Sequence, residues 1–362
     1  MLPLVKVAMP PRDDLMPALE QVLYSGMIGE GEAVYEFERE FASHFNLPNS
    51  LAVSSGTAAL HLALLLSGVG AGDEVITTSM TAEPTNTTIL QVGATPVFAD
   101  VDPTTGNLDT EDVAACVTRR TRAICVVHYA GYPARLDRLR VIADNNGLAL
   151  IEDCAHALGA RFGGQPIGTI GDFSIFSLQA IKHMTTVDGG VLTMRDSAHL
   201  AEARRLRWFG MSRGVPRTEV DISKAGFKYN MNNVAATIGL QQLRHIAPLI
   251  DRHKSNGRFL DVALSALPAA RPPRIPNGSE PSYWLYTLLA DDSDAVEALM
   301  AGIGVSAGKL HRPNHLHSVF TAFRRPLPGL EAFYRRLVHI PCGWWVDDAV
   351  LQRMTRTLLS GA

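Results

Sequence analysis

The sequence predicts an α/β protein in which helices cover a largely parallel β-sheet on both faces. Between Leu51 and Met194, runs rich in β-branched and aromatic residues alternate with runs of helical apolar spacing, the pattern of a parallel sheet with helical crossovers. The 362 residues are 46% hydrophobic and 19% charged, a composition typical of a globular protein long enough for two domains. Because no segment repeats at a solenoid period, a stacked array is excluded.

Two N-terminal helices are predicted over Pro11–Tyr24 and Glu32–Phe45, because apolar residues recur there at helical spacing and glycines separate the two runs. Six β-rich runs then predict strands over 75–78, 96–101, 123–129, 148–153, 173–177 and 191–194. Helical runs lie over 57–66, 111–119, 136–145 and 198–208. In such a fold the carboxyl ends of parallel strands meet at one edge, where ligands bind.

A long helical tract over 230–267 contains Pro248, and a proline inside a helix removes one hydrogen bond and favours a kink or break. We therefore predict a kink or break at Pro248 and place the domain change near it. The N-terminal arm and large domain would cover 1–247, and a small domain would cover 248–362. A strand over 283–289 and helices over 294–301 and 330–338 predict an α+β fold for the small domain.

Charge and cysteine content limit the classes of function. A formal net charge of -3 and a pI near 6.5 give no general basic field for nucleic acid or an acidic membrane. The four cysteines are widely spaced without a CxxC pair, which favours free thiols in a reducing cytoplasm. No run reaches transmembrane length, and no histidine or cysteine cluster has a metal-binding motif. We expect a cytoplasmic protein without a membrane, nucleic-acid or metal partner.

One lysine, Lys182, comes shortly after the apolar run Phe173–Ser177. It could be an ordinary surface lysine at a strand end, or an amine whose pKa is lowered for Schiff-base chemistry with a carbonyl cofactor. Two motifs favour the second interpretation. Asp153 ends another predicted strand, where a carboxylate can pair with a protonated pyridine nitrogen. The sequence SSGT opens a predicted helix, whose N-terminus suits a phosphate. This combination indicates pyridoxal phosphate.

The motifs SSGTAAL, IEDCAHALGA and FSLQAIKHMTTVDGG occur in this order. Together with GDEVITTSMT, GATPVFADVD and GFKYNMNNVAATIGLQQL, they resemble the DegT/StrS-type nucleotide-sugar aminotransferases over nearly the whole chain. The resemblance implies the aspartate-aminotransferase fold, fold type I of pyridoxal-phosphate enzymes, with a mostly parallel seven-stranded-type sheet in the large domain. It also implies that a homodimer with shared active sites moves the amino group of L-glutamate to a keto carbon of a nucleotide-linked sugar. Such reactions supply amino sugars for surface glycans or natural products.

The resemblance implies catalytic roles for three residues. Lys182 is expected to hold the cofactor as a Schiff base and to move the proton between the substrate α-carbon and the cofactor. Asp153 is expected at the pyridine nitrogen, and His156 beside the ring oxygen. Without the resemblance, Asp153 could equally cap a strand end and His156 could be an ordinary buried histidine.

Further cofactor contacts are expected around the phosphate and the ring face. Lys228 stands where the family contributes an asparagine from the partner subunit, and an ammonium also binds phosphate well. Ala82 stands where the family has an aromatic residue, so we expect it on the ring face opposite the substrate, with weaker stacking. The predicted cofactor-binding residues are Ser55, Gly56, Thr57, Ala82, Asp153, His156, Ser177, Gln179, Lys182 and Lys228.

The two anionic substrates need hydrogen-bond donors and positive charge. The loop at 313–315 reads Pro-Asn-His, which departs from the Arg-Asn-Asp run of similar proteins. The candidate substrate-binding residues are Tyr129, Lys228, His311 and Arg312.

Three other functions stay open. His183 directly follows Lys182, and similar sugar dehydratases carry histidine in place of the lysine, so a pyridoxal-phosphate-dependent dehydratase or other lyase is one alternative. A second is a cyclitol aminotransferase on the same scaffold. A third is a non-catalytic sensor, although such a protein would be expected to lose Lys182 or Asp153, and the sequence retains both.

Overall fold

The protein is built around a seven-stranded sheet, as seen in a computed structural model that describes residues 1–361. Along the chain the strands are β1 Ser50–Val53, β2 Glu74–Thr78, β3 Thr95–Ala99, β4 Thr121–Val127, β5 Ala149–Asp153, β6 Arg161–Phe162, β7 Gln165–Pro166, β8 Phe173–Ser177, β9 Gly190–Met194, β10 Ala270–Arg271, β11 Ser279–Glu280, β12 Tyr286–Ala290 and β13 Leu337–Ile340. The order in the large sheet is β1-β9-β8-β5-β4-β2-β3. β9 is antiparallel to both neighbours and all other pairs are parallel, so the predicted α/β architecture is confirmed.

Helices cover both faces of this sheet, and several begin at a polar cap. The helices are α1 Arg12–Tyr24, α2 Glu32–Phe45, α3 Gly56–Leu66, α4 Glu83–Gln91, α5 Thr110–Ala115, α6 Leu136–Asn146, α7 Leu200–Leu206, α8 Asn233–Ala263, α9 Ser293–Gly302, α10 Pro328–Arg336 and α11 Asp348–Gly361. The Asn232 side chain, for example, accepts a hydrogen bond from the backbone N–H of Ala235 and starts α8. Every residue of β2 and of β9 is buried, as expected for strands packed on both faces.

The register of β5 and β8 positions the site. The two strands are parallel, with Asp153 opposite Ile175. The carboxyl end of β8 therefore lies at the same sheet edge as Asp153, and the loop after β8 brings Lys182 to that edge. The structure thus gathers at one edge two residues that are 29 positions apart in the sequence.

The predicted interruption at Pro248 does not take the form of a break, since α8 runs continuously from Asn233 to Ala263. Pro248 and Arg244 are both exposed, so the Arg244 carbonyl that lacks its helical partner can bond to water. Ile246 and Ile250 are buried against the core on the opposite side, and this packing holds the two halves of the helix together.

The C-terminal part adds a three-stranded sheet in the order β10-β12-β13. Its buried residues, such as Phe333, form one cluster with Met80 and Phe98 of the N-terminal part. The division predicted at residues 247 and 248 falls inside α8, and as a domain boundary it stays a prediction.

Strand β1 of the large sheet and the helix α4 beside this sheet are not among the predicted elements. β1 has only four residues, and α4 contains three threonines, a proline and one asparagine, which favour other conformations over helix. The predicted helix over 111–119 ends earlier, at Ala115. No helix within residues 1–361 is long and apolar enough to cross a membrane.

Candidate active site

Lys182 lies in the loop that leads from β8 to β9, with its Nζ atom 4.3 Å from the centroid of the Trp284 ring. Burial lowers the pKa of Lys182 from 10.5 to about 8, against the attraction of the Asp153 carboxylate. About a tenth of this amine is therefore uncharged and nucleophilic at pH 7.

Asp153 is buried at the end of β5 and keeps part of its hydrogen-bonding capacity free. Its Oδ2 atom accepts a hydrogen bond from Thr85 Oγ1 at 2.8 Å, and its Oδ1 atom accepts one from the backbone N–H of Ala155 at 3.1 Å. Burial raises the pKa of Asp153, against these hydrogen bonds and the charge of Lys182. A carboxylate oxygen can accept two hydrogen bonds, so each oxygen has room for a ligand.

The preceding residue, Glu152, lies in a different environment. Its carboxylate accepts hydrogen bonds from His128 Nε2 at 3.0 Å and from the backbone N–H groups of three loop residues, Gly168, Ile170 and Gly171. Burial alone would raise the pKa of Glu152, but the bonds from His128 and the backbone outweigh it and hold the pKa below its usual value. This carboxylate is already satisfied within the protein.

Three rings form an aromatic cluster near the lysine. The His156 ring stacks on Trp284 with centroids 4.0 Å apart and an interplanar angle of 16°, and it is nearly parallel to the His311 ring at 5.6 Å. Both His156 nitrogens and His311 Nε2 are buried without a hydrogen-bond partner among residues 1–361. Buried polar atoms normally have partners, so these nitrogens point to a bound polar molecule.

Both histidines are uncharged near neutral pH. Burial lowers the pKa of His156 well below its usual value, and the nearby charge of Lys182 acts in the same direction. Burial likewise lowers the pKa of His311 to about 4. Each ring can therefore offer one N–H donor and one acceptor nitrogen, but no positive charge.

The N-terminus of α3 packs tightly against the end of β8. A Cβ atom on Gly56 would lie 3.0 Å from the Ser177 Cβ atom, so glycine allows this approach without displacing Ser177. Ser55 caps the helix by accepting a hydrogen bond from the backbone N–H of Ala58. Because the first N–H groups of a helix have no partner within the helix, Gly56 and Thr57 can present theirs to an anion.

Comparison with known proteins identifies the family to which the chain belongs. The family model described as "DegT/DnrJ/EryC1/StrS aminotransferase family" matches residues 11–358. The chain belongs to this family. It is 33% identical over 339 residues to the spore coat polysaccharide biosynthesis protein SpsC of Bacillus subtilis, covering 89% of this chain and 87% of the relative.

Solved structures agree with this assignment. The sugar aminotransferase CalS13 from Micromonospora echinospora is 37% identical, with full coverage of both chains and a TM-score of 0.96. The pyridoxal-phosphate form of the putative sugar aminotransferase Spr1654 from Streptococcus pneumoniae is 26% identical, with 98% of each chain covered and a TM-score of 0.89. The protein is a pyridoxal-phosphate-dependent sugar aminotransferase with the fold of these enzymes.

The residues at the sheet edge fit the cofactor of this aminotransferase family. The buried amine of Lys182 is partly uncharged, Asp153 has free acceptor capacity, and both nitrogens of His156 lack partners. The α3 N-terminus beside Ser177 offers N–H donors for a phosphate. The assignments to individual cofactor atoms stay predictions.

Other predicted cofactor residues lie around this centre with different exposure. Gln179 is exposed, and its Oε1 atom accepts a hydrogen bond from the backbone N–H of Ile181 at 3.1 Å. Ala82 is partly buried immediately before α4. Lys228 is exposed, and its Nζ atom donates to Asn230 Oδ1 at 2.6 Å.

The predicted substrate residues differ in what they can offer. Tyr129 is only 2% exposed, and its hydroxyl group is hydrogen-bonded to His339 Nε2 at 2.9 Å, so that group is already engaged within the protein. Arg312 is exposed, and its guanidinium donates only to the carbonyl oxygen of Leu316, at 3.3 Å. His311 lies deeper, near Lys182.

Asn314 fastens the loop of His311 to the segment before α4. It is completely buried, and its backbone N–H donates to the Ser79 carbonyl oxygen at 2.8 Å. Its Nδ2 atom donates to the Thr81 carbonyl oxygen at 2.7 Å, and its Oδ1 atom accepts from Asn86 Nδ2 at 2.8 Å. This tie fixes the substrate loop against the segment that leads to Ala82.

Sequence reasoning missed three residues of the site: Thr85, Trp284 and Asn314. Thr85 stands three residues after Ala82, and a threonine among other threonines gives no local signal of a contact with Asp153. Trp284 is more than a hundred positions from Lys182 in the chain, and it gives no local signal. A buried tryptophan in an α+β region is usually core, so its contact with the lysine emerges only from the folded structure.

Proposed function

We propose that this sugar aminotransferase takes the amino group of L-glutamate and delivers it to a keto carbon of a nucleotide-linked sugar. The observation that carries the proposal is the partly uncharged amine of Lys182 beside Asp153. The name of SpsC, which refers to polysaccharide biosynthesis, and the sugar aminotransferase CalS13 support a role in making a surface glycan or a natural product.

When bound, pyridoxal phosphate supplies an aldehyde that carries the amino group and a ring that withdraws electrons. Lys182 Nζ is proposed to bind the aldehyde carbon in the resting enzyme and to move a proton to and from the substrate carbon. Asp153 holds a proton on the pyridine nitrogen, and Thr85 orients its carboxylate. His156, neutral and without a partner, is proposed to donate to the ring oxygen.

The phosphate is assigned to the edge formed by α3 and the end of β8. The donors are the N–H groups at the start of α3 and the hydroxyl groups near them. We propose that Ala82 packs on the ring face opposite the substrate. The residues assigned to the phosphate are Ser55, Gly56, Thr57, Ser177, Gln179 and, in a homodimer, Lys228 of the partner subunit.

The charge of each candidate substrate-binding residue indicates which group of the substrates it would bind. Arg312 and Lys228 are exposed cations, suited to the carboxylates of glutamate and to a diphosphate. His311 is uncharged and buried near Lys182, so it suits an uncharged oxygen of the sugar. Tyr129 is the weakest candidate of the four because its hydroxyl group is bonded to His339.

The structure favours transamination over the dehydratase alternative. His183 is buried, and its Nε2 atom is hydrogen-bonded to the Ser282 carbonyl oxygen at 3.2 Å, whereas Lys182 lies near enough to Asp153 for its charge to lower the pKa of that carboxyl against the effect of burial. We also propose that the enzyme acts in the cytoplasm. The four cysteines are free, which is consistent with a reducing compartment.

The substrate proposal is tested by incubating the enzyme with L-glutamate and a panel of keto-sugar nucleotides and keto-cyclitols, with 2-oxoglutarate as the readout. We expect turnover with a nucleotide-linked keto sugar and none after Lys182→Ala. Lys6→Ala, which removes a lysine from the surface near Trp344, serves as the control and should keep full activity. Turnover with cyclitols alone would reject the nucleotide sugar, and an active Lys182→Ala variant would reject the assigned amine.

The shared site is tested by mixing two inactive variants. If Lys228 acts in the partner's site, Lys182→Ala and Lys228→Ala subunits should regain activity when dissociated and reassociated together, because one of the two sites in each mixed dimer is then intact. Each variant treated alone is the control. A fully active monomer, measured by sedimentation at the assay concentration, would disprove the shared arrangement.

A further inference from the structure

Trp284 contacts the loop of Lys182 in two ways and also stacks on His156. Its Nε1–H group donates a hydrogen bond to the carbonyl oxygen of Ile181 at 2.9 Å, one residue before the lysine. The centroid of its ring lies 4.3 Å from Lys182 Nζ. The ring also stacks on His156, with centroids 4.0 Å apart. Trp284 is only 2% exposed, whereas Ile181 and Lys182 are partly buried, so the indole side of these contacts is shielded from water.

The backbone around Trp284 is itself fixed to the strand ends that form the site. Ser282 N–H donates to the carbonyl oxygen of Gly131, and Leu285 N–H donates to that of Ala130. A Cβ atom on Gly131 would lie 2.8 Å from the backbone nitrogen of Trp284. Glycine allows this close approach and also the φ of +93° at this position. The indole is therefore held rigidly relative to the sheet edge.

We propose that Trp284 is a positioning residue for Lys182, which holds the amine over its ring and favours the protonated form against burial. This inference rests on the amine role assigned to Lys182 in the proposed function. A cation over an indole face is attracted to it, most strongly where water is excluded. The bond from Nε1 to the Ile181 carbonyl fixes the loop, and the ring face fixes the end of the side chain.

The other charged or titratable groups around Lys182 also affect its protonation. Asp153, from β5, favours the protonated amine. His156, His183 and His311 lie near it from three different segments. Because burial lowers the pKa of each of these histidines, none of them carries a positive charge that would repel the Lys182 ammonium near neutral pH. The ring of Trp284 and the Asp153 carboxylate are thus the two attractive partners of the ammonium.

The test measures the rate at which pyridoxal phosphate attaches to the full-length protein, by absorbance, as a function of pH. The uncharged amine attacks the aldehyde, so the rate should rise with pH and level off above the pKa of Lys182, about 8. In Trp284→Leu the midpoint should fall by roughly half to one pH unit, because the attraction of the ring is lost. Trp284→Phe keeps a ring face but not the N–H group, so its midpoint should move less while its plateau rate falls several-fold.

Trp344→Leu is the matched control, since Trp344 also lies near a lysine, with Lys6 Nζ at 4.9 Å, and it should leave the midpoint unchanged. If the Trp284→Leu midpoint stays the same or rises, the residue only packs and the inference is overturned. If Trp284→Leu does not fold by circular dichroism, Trp284→Phe decides: an unchanged midpoint together with an unchanged plateau overturns it. A midpoint near 10.5 in the unmodified protein would instead refute the role of Lys182.

Discussion

Two neighbouring carboxylates on β5 have opposite environments. Glu152 receives hydrogen bonds from a histidine and three backbone N–H groups, which hold its pKa below the usual value despite burial. Asp153 receives two, and burial raises its pKa. Successive strand residues face opposite sides of the sheet, so one strand places one carboxylate in the core and the other in the site. A satisfied buried charge stabilises the fold, whereas an incompletely satisfied one is available to a ligand.

The largest effect is expected for a substitution of Glu152, the carboxylate whose hydrogen bonds are complete. Glu152→Gln replaces an acceptor oxygen with an NH2 group that faces backbone N–H donors, so it should lower the free energy of unfolding by about 3 kcal/mol. The urea midpoint measures this loss. The activity of the remaining folded enzyme should stay within about twofold of the unmodified protein, since Glu152 does not face the site.

Asp153→Asn is the matched change on the other face. It should not lower the urea midpoint, because an ionised carboxylate of raised pKa is itself costly at neutral pH. The rate of 2-oxoglutarate formation should fall at least about a hundredfold, through loss of the charged partner of the ring nitrogen. Equal stability losses in Asp153→Asn and Glu152→Gln would show that the two carboxylates do not differ as described.

Lys182→Met extends the comparison to the cation. The pKa of Lys182 falls from 10.5 in the unfolded chain to about 8 in the folded protein, so between these pH values the unfolded state binds more protons and stability rises with pH. At pH 7 the buried ammonium therefore costs up to about 3 kcal/mol, and the cost disappears above pH 10.5.

Without added cofactor, the methionine variant should thus unfold at higher urea than the unmodified protein at pH 7, and the gap should close by about pH 10.5. Lys6→Met controls for the removal of a surface lysine. A methionine variant that is less stable at pH 7 would mean that the pairing with Asp153 outweighs the burial of the charge.

Thr85→Val tests how the functional carboxylate is oriented. The substitution keeps the shape of the side chain and removes the hydroxyl group that donates to Asp153. We expect about a tenfold loss in kcat, corresponding to one buried hydrogen bond to a charged group. Thr88→Val is a suitable control because Thr88 donates to carbonyl oxygens within α4. Equal activities of the two variants would remove Thr85 from the site.

The smallest effect is expected for Ser174→Ala, next to the satisfied carboxylate. The Ser174 hydroxyl lies 3.4 Å from Glu152 Oε1, a weak bond beside several stronger ones. We expect a loss of no more than about 0.5 kcal/mol in the free energy of unfolding. A loss as large as that of Glu152→Gln would show that the remaining donors do not satisfy Glu152.

Local patterns predicted the fold and part of the site. The strand Phe173–Ser177 was predicted with its observed bounds, because an apolar β-rich run between polar loops is a strong signal. The helix does not break at Pro248 because the buried face of α8 outweighs one lost hydrogen bond. The difference between Glu152 and Asp153 could not be predicted, since it depends on donors from loops far along the chain. The stack of Trp284 on His156 depends in the same way on how the C-terminal part folds back.

The bonds of Asn314 have a consequence for how this enzyme could acquire a different acceptor. The bonds of this one buried residue join the loop of His311 to the segment before α4, so neither can move while the other stays in place. A change of acceptor would then come from exchanging the side chains that project from a fixed frame, such as His311 and Arg312. Selectivity for the shape of the acceptor would then depend on these side chains and not on movement of the backbone.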